Sequence, residues 1–212
     1  MSAPLSGCRD CPRLAGFLDQ VRQKEPTYFA APVPPFGDPA PRLLIVGLAP
    51  GMHGANRTGR PFTGDYAGIL LYQTLYDFGF STGPTSVSAD DPLRLKDCRI
   101  TNAVKCLPPE NKPETVEIRN CNRHLQGEMA DLGSVRVILA LGLVAHKAVL
   151  MALGLKASAC AFGHNARHEL PGGRVLIDSY HCSRYNTQTR RLTPDSFADV
   201  FKAIRTELGP AL

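Results

Sequence analysis

The feature that most constrains this chain is an alternation along its length. Short apolar runs closed by Gly or a polar residue are separated by longer stretches of helical periodicity. Arg42-Leu-Leu-Ile-Val-Gly47 is the first such run, followed by Arg99-Ile-Thr-Asn-Ala-Val104, Val135-Arg-Val-Ile-Leu-Ala-Leu141 before Gly142, and Arg174-Val-Leu-Ile-Asp178. Near-continuous apolar runs of this length read as strands buried on both faces. Between them, Tyr66 to Phe78 places Ile69, Leu70, Leu71, Leu75 and Phe78 on one helical stripe. Glu114 to Leu132, Gly142 to about Leu153, and Ser196 to Leu208 with Asp195 as N-cap complete the predicted helices. Strands alternating with helices define an α/β fold: a three-layer sandwich around a central parallel four-stranded sheet.

A chain of 212 residues suits one such domain, spanning 1–212. Residues 1–40 contain Pro32, Pro34, Pro35 and Pro39 and read as an N-terminal arm with one short helix around Leu14–Lys24. No apolar run is long enough to cross a bilayer. The first ten residues lack a basic stretch followed by an apolar one, so the sequence predicts no secretory leader and an intracellular, cytoplasmic protein. The net charge of +5 permits contact with nucleic acid without proving it.

In sheets of this kind, sites form at the carboxyl ends of the strands. The segments expected there are Gly47-Leu-Ala-Pro-Gly51 and its continuation, Asn102-Ala-Val-Lys-Cys106, Gly142-Leu-Val-Ala-His146, and Ser179 to Asn186. The most polar and Gly-rich parts of the chain therefore gather at one edge.

The seven cysteines divide. Cys8 and Cys11 form a C-x-x-C pair, and Cys106 and Cys121 follow near Pro or Asn. In a reducing compartment such a set reads as metal ligands, and four thiolates suit either tetrahedral zinc or a [4Fe–4S] cluster. Its expected role is structural: it would tie the arm to the domain, since nothing else in the sequence obviously anchors that segment. Cys98 and Cys160 read as small buried or half-buried residues. His146, on a predicted helix, and His124, among surface charges, read as ordinary histidines.

Three segments now resemble one family. Gly47 to Asp65, with Gly47-Leu-Ala-Pro-Gly-Met-His-Gly at its start, resembles the first motif of uracil-DNA glycosylases. His181-Cys-Ser-Arg-Tyr-Asn186 resembles their second motif, usually His-Pro-Ser. Thr101-Asn-Ala-Val-Lys-Cys106 resembles the strand that supplies a base-reading Asn. The four cysteines resemble the iron–sulfur branches of that superfamily, and the Gly-Ala-Asn-Arg-Thr-Gly-Arg insertion resembles the fifth family, type B. The resemblance implies a [4Fe–4S] cluster, a DNA partner, a monomer, and hydrolysis of the bond between uracil and its sugar, with hypoxanthine, xanthine or ethenocytosine as further bases. A monofunctional enzyme is expected, because no Lys stands ready in the motifs to form a Schiff base.

It also implies roles. Asn102 would read the uracil edge, Phe62 would offer a stacking face, and Gly47 and Ala49 would line the base pocket. His181 would stabilise the anionic leaving base. Leu48 stands where the sister iron–sulfur family has Glu, so Asp65, the only carboxylate of the first motif, becomes the candidate for steering water or stabilising the cationic sugar. An Asp ahead of a helix also reads as an N-cap. Arg57, Arg60, Ser183, Arg184, Arg190 and Arg191 suit phosphate contacts, and Tyr185 suits a wedge that fills the gap left by a flipped base. Cys182 in place of Pro predicts a less constrained loop after His181. The residues leave two other classes open: a non-catalytic iron–sulfur nucleic-acid-binding protein, and a hydrolase of free nucleotides.

Overall fold

The computed structural model describes residues 5–209. Residues 1–4 of the expected arm and residues 210–212 lie outside the described part. The four expected strands form where the apolar runs stand: β2 (Leu43–Gly47), β3 (Cys98–Asn102), β4 (Val137–Leu141) and β6 (Arg174–Ser179). They pair in parallel in the order β3-β2-β4-β6. Two short edge strands escaped the periodicity argument. β1 (Phe36–Gly37) pairs antiparallel with β3, and β5 (Arg167–Leu170) pairs antiparallel with β6, giving six strands in all. β1 is too short to carry a period. Three of the four residues of β5 are polar, and it lies half in solvent.

Alternation along each central strand sends side chains to opposite faces. Leu43 and Ile45 point into one core with Leu71 and Leu75 of α3 (Tyr66–Asp77) and Phe197 and Phe201 of α7 (Pro194–Leu208). Leu44 and Val46 point into the other, with Leu125 and Met129 of α4 (Thr115–Asp131) and Val149 of α5 (Leu143–Ala152). The sheet is thus buried on both faces in a single three-layer α/β domain. Ile69 departs from its expected stripe and is 65% exposed, because the buried face of α3 runs through Gly68, Leu71, Tyr72 and Leu75. The N-cap of α7 is Thr193 rather than Asp195: its hydroxyl accepts from Ser196 N at 3.1 Å, with Pro194 opening the first turn.

The arm has anchors of its own. α1 (Pro12–Lys24) buries Leu14, Leu18 and Val21 against Val104 and Leu107. Arg13 donates to both carboxylate oxygens of Glu117 at 2.8 and 2.7 Å, and Arg123 pairs with Asp10. The expectation that a metal centre alone could hold this segment is therefore corrected. Among the described residues, no helix is long and apolar enough to cross a membrane.

Candidate active site and four-cysteine centre

A cleft of about 420 Å³ opens at the carboxyl ends of β2, β3 and β6. Ala49, Phe62, Asp65, Asn102, His181, Ser183 and Arg184 line it, joined by Leu48, Gly51, Tyr66, Ala67 and Asn111. The chain thus brings residues far apart in sequence to one edge of the sheet.

Asn102 ends β3 with only 3% of its surface exposed, and its Oδ1 has no hydrogen-bond partner. Its approach depends on Gly47 in the neighbouring strand. A Cβ there would lie 2.4 Å from Asn102 Oδ1 and 2.7 Å from the Phe62 ring. Gly47 is not itself among the cleft-lining residues; its missing side chain makes the space. Phe62 has a positive φ of 57° and is buried. Its ring faces that of His181, with centroids 5.9 Å apart and planes 28° from parallel.

Asp65 occupies the N-cap position of α3, yet its side chain makes no capping hydrogen bond to that helix. The carboxylate turns the other way. Oδ2 accepts from Ala55 N at 3.1 Å, at the start of α2 (Ala55–Thr58), and the group lies against Gly51 and Gly54. A Cβ on Gly54 would fall 1.9 Å from Asp65 Cγ, so no residue with a side chain fits. Burial raises the Asp65 pKa above its ordinary value, opposed by the Ala55 N–H and by the charge of Arg57.

Burial lowers the pKa of His181 to about 4, so its imidazole is neutral at physiological pH. The loop that follows is held without the usual Pro. Cys182 is fully buried, Asn186 Nδ2 donates to His181 O at 2.8 Å, and Ser183 Oγ accepts from Asn186 N at 3.4 Å to cap α6 (Arg184–Gln188).

The basic set divides. Arg57, Arg184, Arg190 and Arg191 are exposed. Arg184 lies over the Tyr66 ring at 4.9 Å, and Arg191 over the Tyr180 ring at 4.3 Å, beside a second hollow that shares Leu48 and His181 with the cleft. Arg60 departs from the set. It is buried, paired with Asp91, bonded to Ser86 Oγ at 3.2 Å, and stacked over Phe36 at 4.3 Å. Its guanidinium is committed to the interior, which corrects its expected place at a phosphate. Tyr185, in the first turn of α6, stands 70% exposed. Sequence reasoning passed over Tyr66 and Asn111; the turn that brings Asn111 to the cleft, with Glu110 and Asn111 at positive φ, carries no periodic signal.

Cys8, Cys11, Cys106 and Cys121 line one small cavity between α1, α4 and the segment after β3, and none is in a disulfide. The donor set suits a metal centre. Burial, then the neighbouring thiolates, push Cys106 up to about 12, and burial pushes Cys121 up to about 11. Four thiolates could coexist there only with a cationic partner. His124 lines the same cavity and is 6% exposed, so it is not among the surface charges. His146 is buried as well. With His168 it surrounds Asp178, at 2.8 Å from Nδ1 and 3.0 Å from Nε2 respectively. These are hydrogen-bond contacts, and the three side chains satisfy one another without an ion.

Fold and cleft together define a parallel α/β protein with its ligand site at the strand ends and a separate four-thiol centre. Comparison with known proteins gives this class its family. A model of the Uracil DNA glycosylase superfamily matches residues 34–205. A Type-5 uracil-DNA glycosylase of Thermus thermophilus is 51% identical over 211 residues, covering 97% of this chain and 95% of the relative. Its counterpart in Pyrobaculum aerophilum is 41% identical over 209 residues, covering 97% and 91%. A Type-4 uracil-DNA glycosylase of the same organism is 36% identical over 126 residues, or 59% of this chain and 56% of the relative. The chain belongs to the uracil-DNA glycosylase superfamily, in its type-5 branch.

Proposed function

We propose that this protein is a DNA-repair glycosylase that hydrolyses the N-glycosidic bond of uracil in DNA and leaves the strand intact. The observation that carries this reading is the unpartnered, buried Oδ1 of Asn102 in the cleft wall. Buried polar atoms in native proteins nearly always find a partner, and uracil N3–H is a donor of the right kind. The amide nitrogen would then face uracil O4, an acceptor. Cytosine presents the reverse pattern and is rejected.

A base inside the duplex cannot reach such a cleft, so the nucleotide is extruded. Exposed Arg57, Arg184, Arg190 and Arg191 hold the phosphates on either side, with Ser183 fixing the loop that carries three of them. Tyr185 enters the vacated stack. Phe62, shaped against Gly47 and Ala49, supplies aromatic surface for the base.

As the bond breaks, negative charge grows on the uracil oxygens and positive charge on the sugar. Neutral His181 donates an N–H to the base, an interaction that strengthens as the charge develops. The Asp65 carboxylate stabilises the cationic sugar and accepts a proton from the attacking water; its raised pKa improves it as a base. No lysine lines the cleft among the described residues, so no amine is placed to form a Schiff base. The reading extends to hypoxanthine, xanthine or ethenocytosine as further bases.

Cys8, Cys11, Cys106 and Cys121 hold a [4Fe–4S] cluster, which supplies structural cross-linking and no chemistry to the cleft. It joins the arm of residues 1–40 to α4 and to the end of β3, reinforcing the packing of α1. The protein works as a monomer on intracellular DNA.

The test is a panel of oligonucleotides with one uracil, hypoxanthine or xanthine each, incubated with protein and then treated with alkali. Cleavage of the uracil strand only after alkali is expected. Tight binding with no alkali-labile site would leave a non-catalytic DNA-binding protein, and activity confined to free nucleotides would leave a nucleotide hydrolase.

A further inference from the structure

We infer that His124 donates its Nε2–H to a sulfide of the cluster that the four cysteines would hold, as a positioning residue that sets the cluster's electron affinity. The inference rests on the [4Fe–4S] assignment proposed above. It starts from a pattern in the cavity wall. Three of the four thiols already receive an N–H group from the chain. Lys105 N donates to Cys121 Sγ at 3.3 Å, Asn120 Nδ2 to Cys11 Sγ at 3.8 Å, and Arg123 Nη2 to Cys8 Sγ at 3.8 Å. Cys106 receives none among the described residues.

One turn of α4 therefore carries a ligand, Cys121, and two donors, Asn120 and Arg123. His124 is the next residue on that turn, three after Cys121 and so on the same face. It lines the cavity, it is 6% exposed, and its Nε2 has no hydrogen-bond partner. A buried ring nitrogen at the cavity wall with no acceptor in the protein, the four thiols included, points to an acceptor that the cluster itself would bring, an inorganic sulfide.

Hydrogen bonds to cluster sulfurs draw off electron density, stabilise the more negative reduced form, and raise the reduction potential. His124 contacts no part of the base cleft, so its effect is read in the potential rather than in turnover. Protein-film voltammetry of the whole chain carries the test. In His124→Leu, the ratio of reduced to oxidised protein at a fixed potential is expected to fall about tenfold, a 59 mV negative shift for a one-electron couple. His124→Gln keeps an N–H donor and is expected to stay near the wild type.

Equal potentials in wild type and His124→Leu, both with full iron, overturn the inference and leave the cluster assignment standing. A wild-type protein that contains zinc or no metal overturns both. Should the Leu variant lose its iron, pulsed EPR of the reduced wild type with ¹⁵N-labelled histidine decides. A resolved coupling to one histidine nitrogen that persists in a His146→Ala background supports the inference, and its absence overturns it.

Discussion

At the scale of single residues, the cleft assigns different work to three polar side chains, and each separates under a conservative change. Asp65 does not cap α3, so Asp65→Asn tests its chemistry with little disturbance; an amide oxygen still accepts from Ala55 N. Single-turnover uracil release is expected to fall by about 10²-fold or more, the scale of general acid–base groups, while DNA binding and melting temperature stay near wild type. Near-normal turnover would remove Asp65 from the chemistry. Asn102→Ala is expected to lose activity on uracil and on hypoxanthine alike, because both present an N–H beside a carbonyl oxygen to the orphan Oδ1 and its amide nitrogen; steady-state rates on the two substrates check this. His181 makes a claim about pH. Its folded pKa of about 4 lies below the ordinary 6.5, so the unfolded chain takes up a proton between those values and the folded one does not. Its contribution to stability is complete above pH 6.5 and is lost as pH falls towards 4. Single-turnover rates should show no titration near 6.5. A midpoint there would mean that the imidazolium forms in the folded enzyme.

At the scale of elements, the arginines separate two kinds of contact that the sequence presents alike. Arg60 and Arg57 stand three apart in one motif, yet Arg60 points inward to Asp91 and Arg57 outward. Breaking the Arg60–Asp91 pair by Arg60→Ala is expected to cost about 3–5 kcal/mol of stability, as for other buried pairs, measured by chemical denaturation. Arg190→Ala with Arg191→Ala should leave stability unchanged and flatten the salt dependence of DNA binding. Nothing in the local spacing distinguishes these cases: Asp91 lies thirty-one residues away, and only the fold brings it close. The same limit explains His124. It stands between Arg123 and the core residue Leu125, and only the turn of α4 sets that side chain against the cysteine cavity. The strands, by contrast, were legible because apolar runs such as Leu43–Val46 are buried on both faces and require no partner to be named. The edge strands β1 and β5 were not, since neither carries a continuous apolar run.

At the scale of the whole molecule, the sheet gathers the first motif, Asn102 and the second motif at one end of the domain. The four-thiol centre lies with α1 and α4, and its lining shares no residue with that of the base site. This separation predicts that loss of the centre harms stability before chemistry. Cys121→Ser is expected to lose iron and melt at lower temperature. α1 should remain partly docked through Leu14, Leu18 and Val21, so limited proteolysis should cut the arm more slowly than a segment without such packing. Residues Gly47, Phe62, Asp65, Asn102 and His181 were legible as a set because they recur in motifs that resemble one family. Their geometry was not: the turn of Asp65 away from α3 depends on the space left by Gly51 and Gly54.

The most direct measurement is the release of free uracil from a duplex carrying a single deoxyuridine, with protein in excess and the products resolved by mass. One uracil per duplex, together with an intact strand bearing an abasic site, is the predicted result. Bound duplex that yields no uracil, or a strand broken without alkali, would contradict the account.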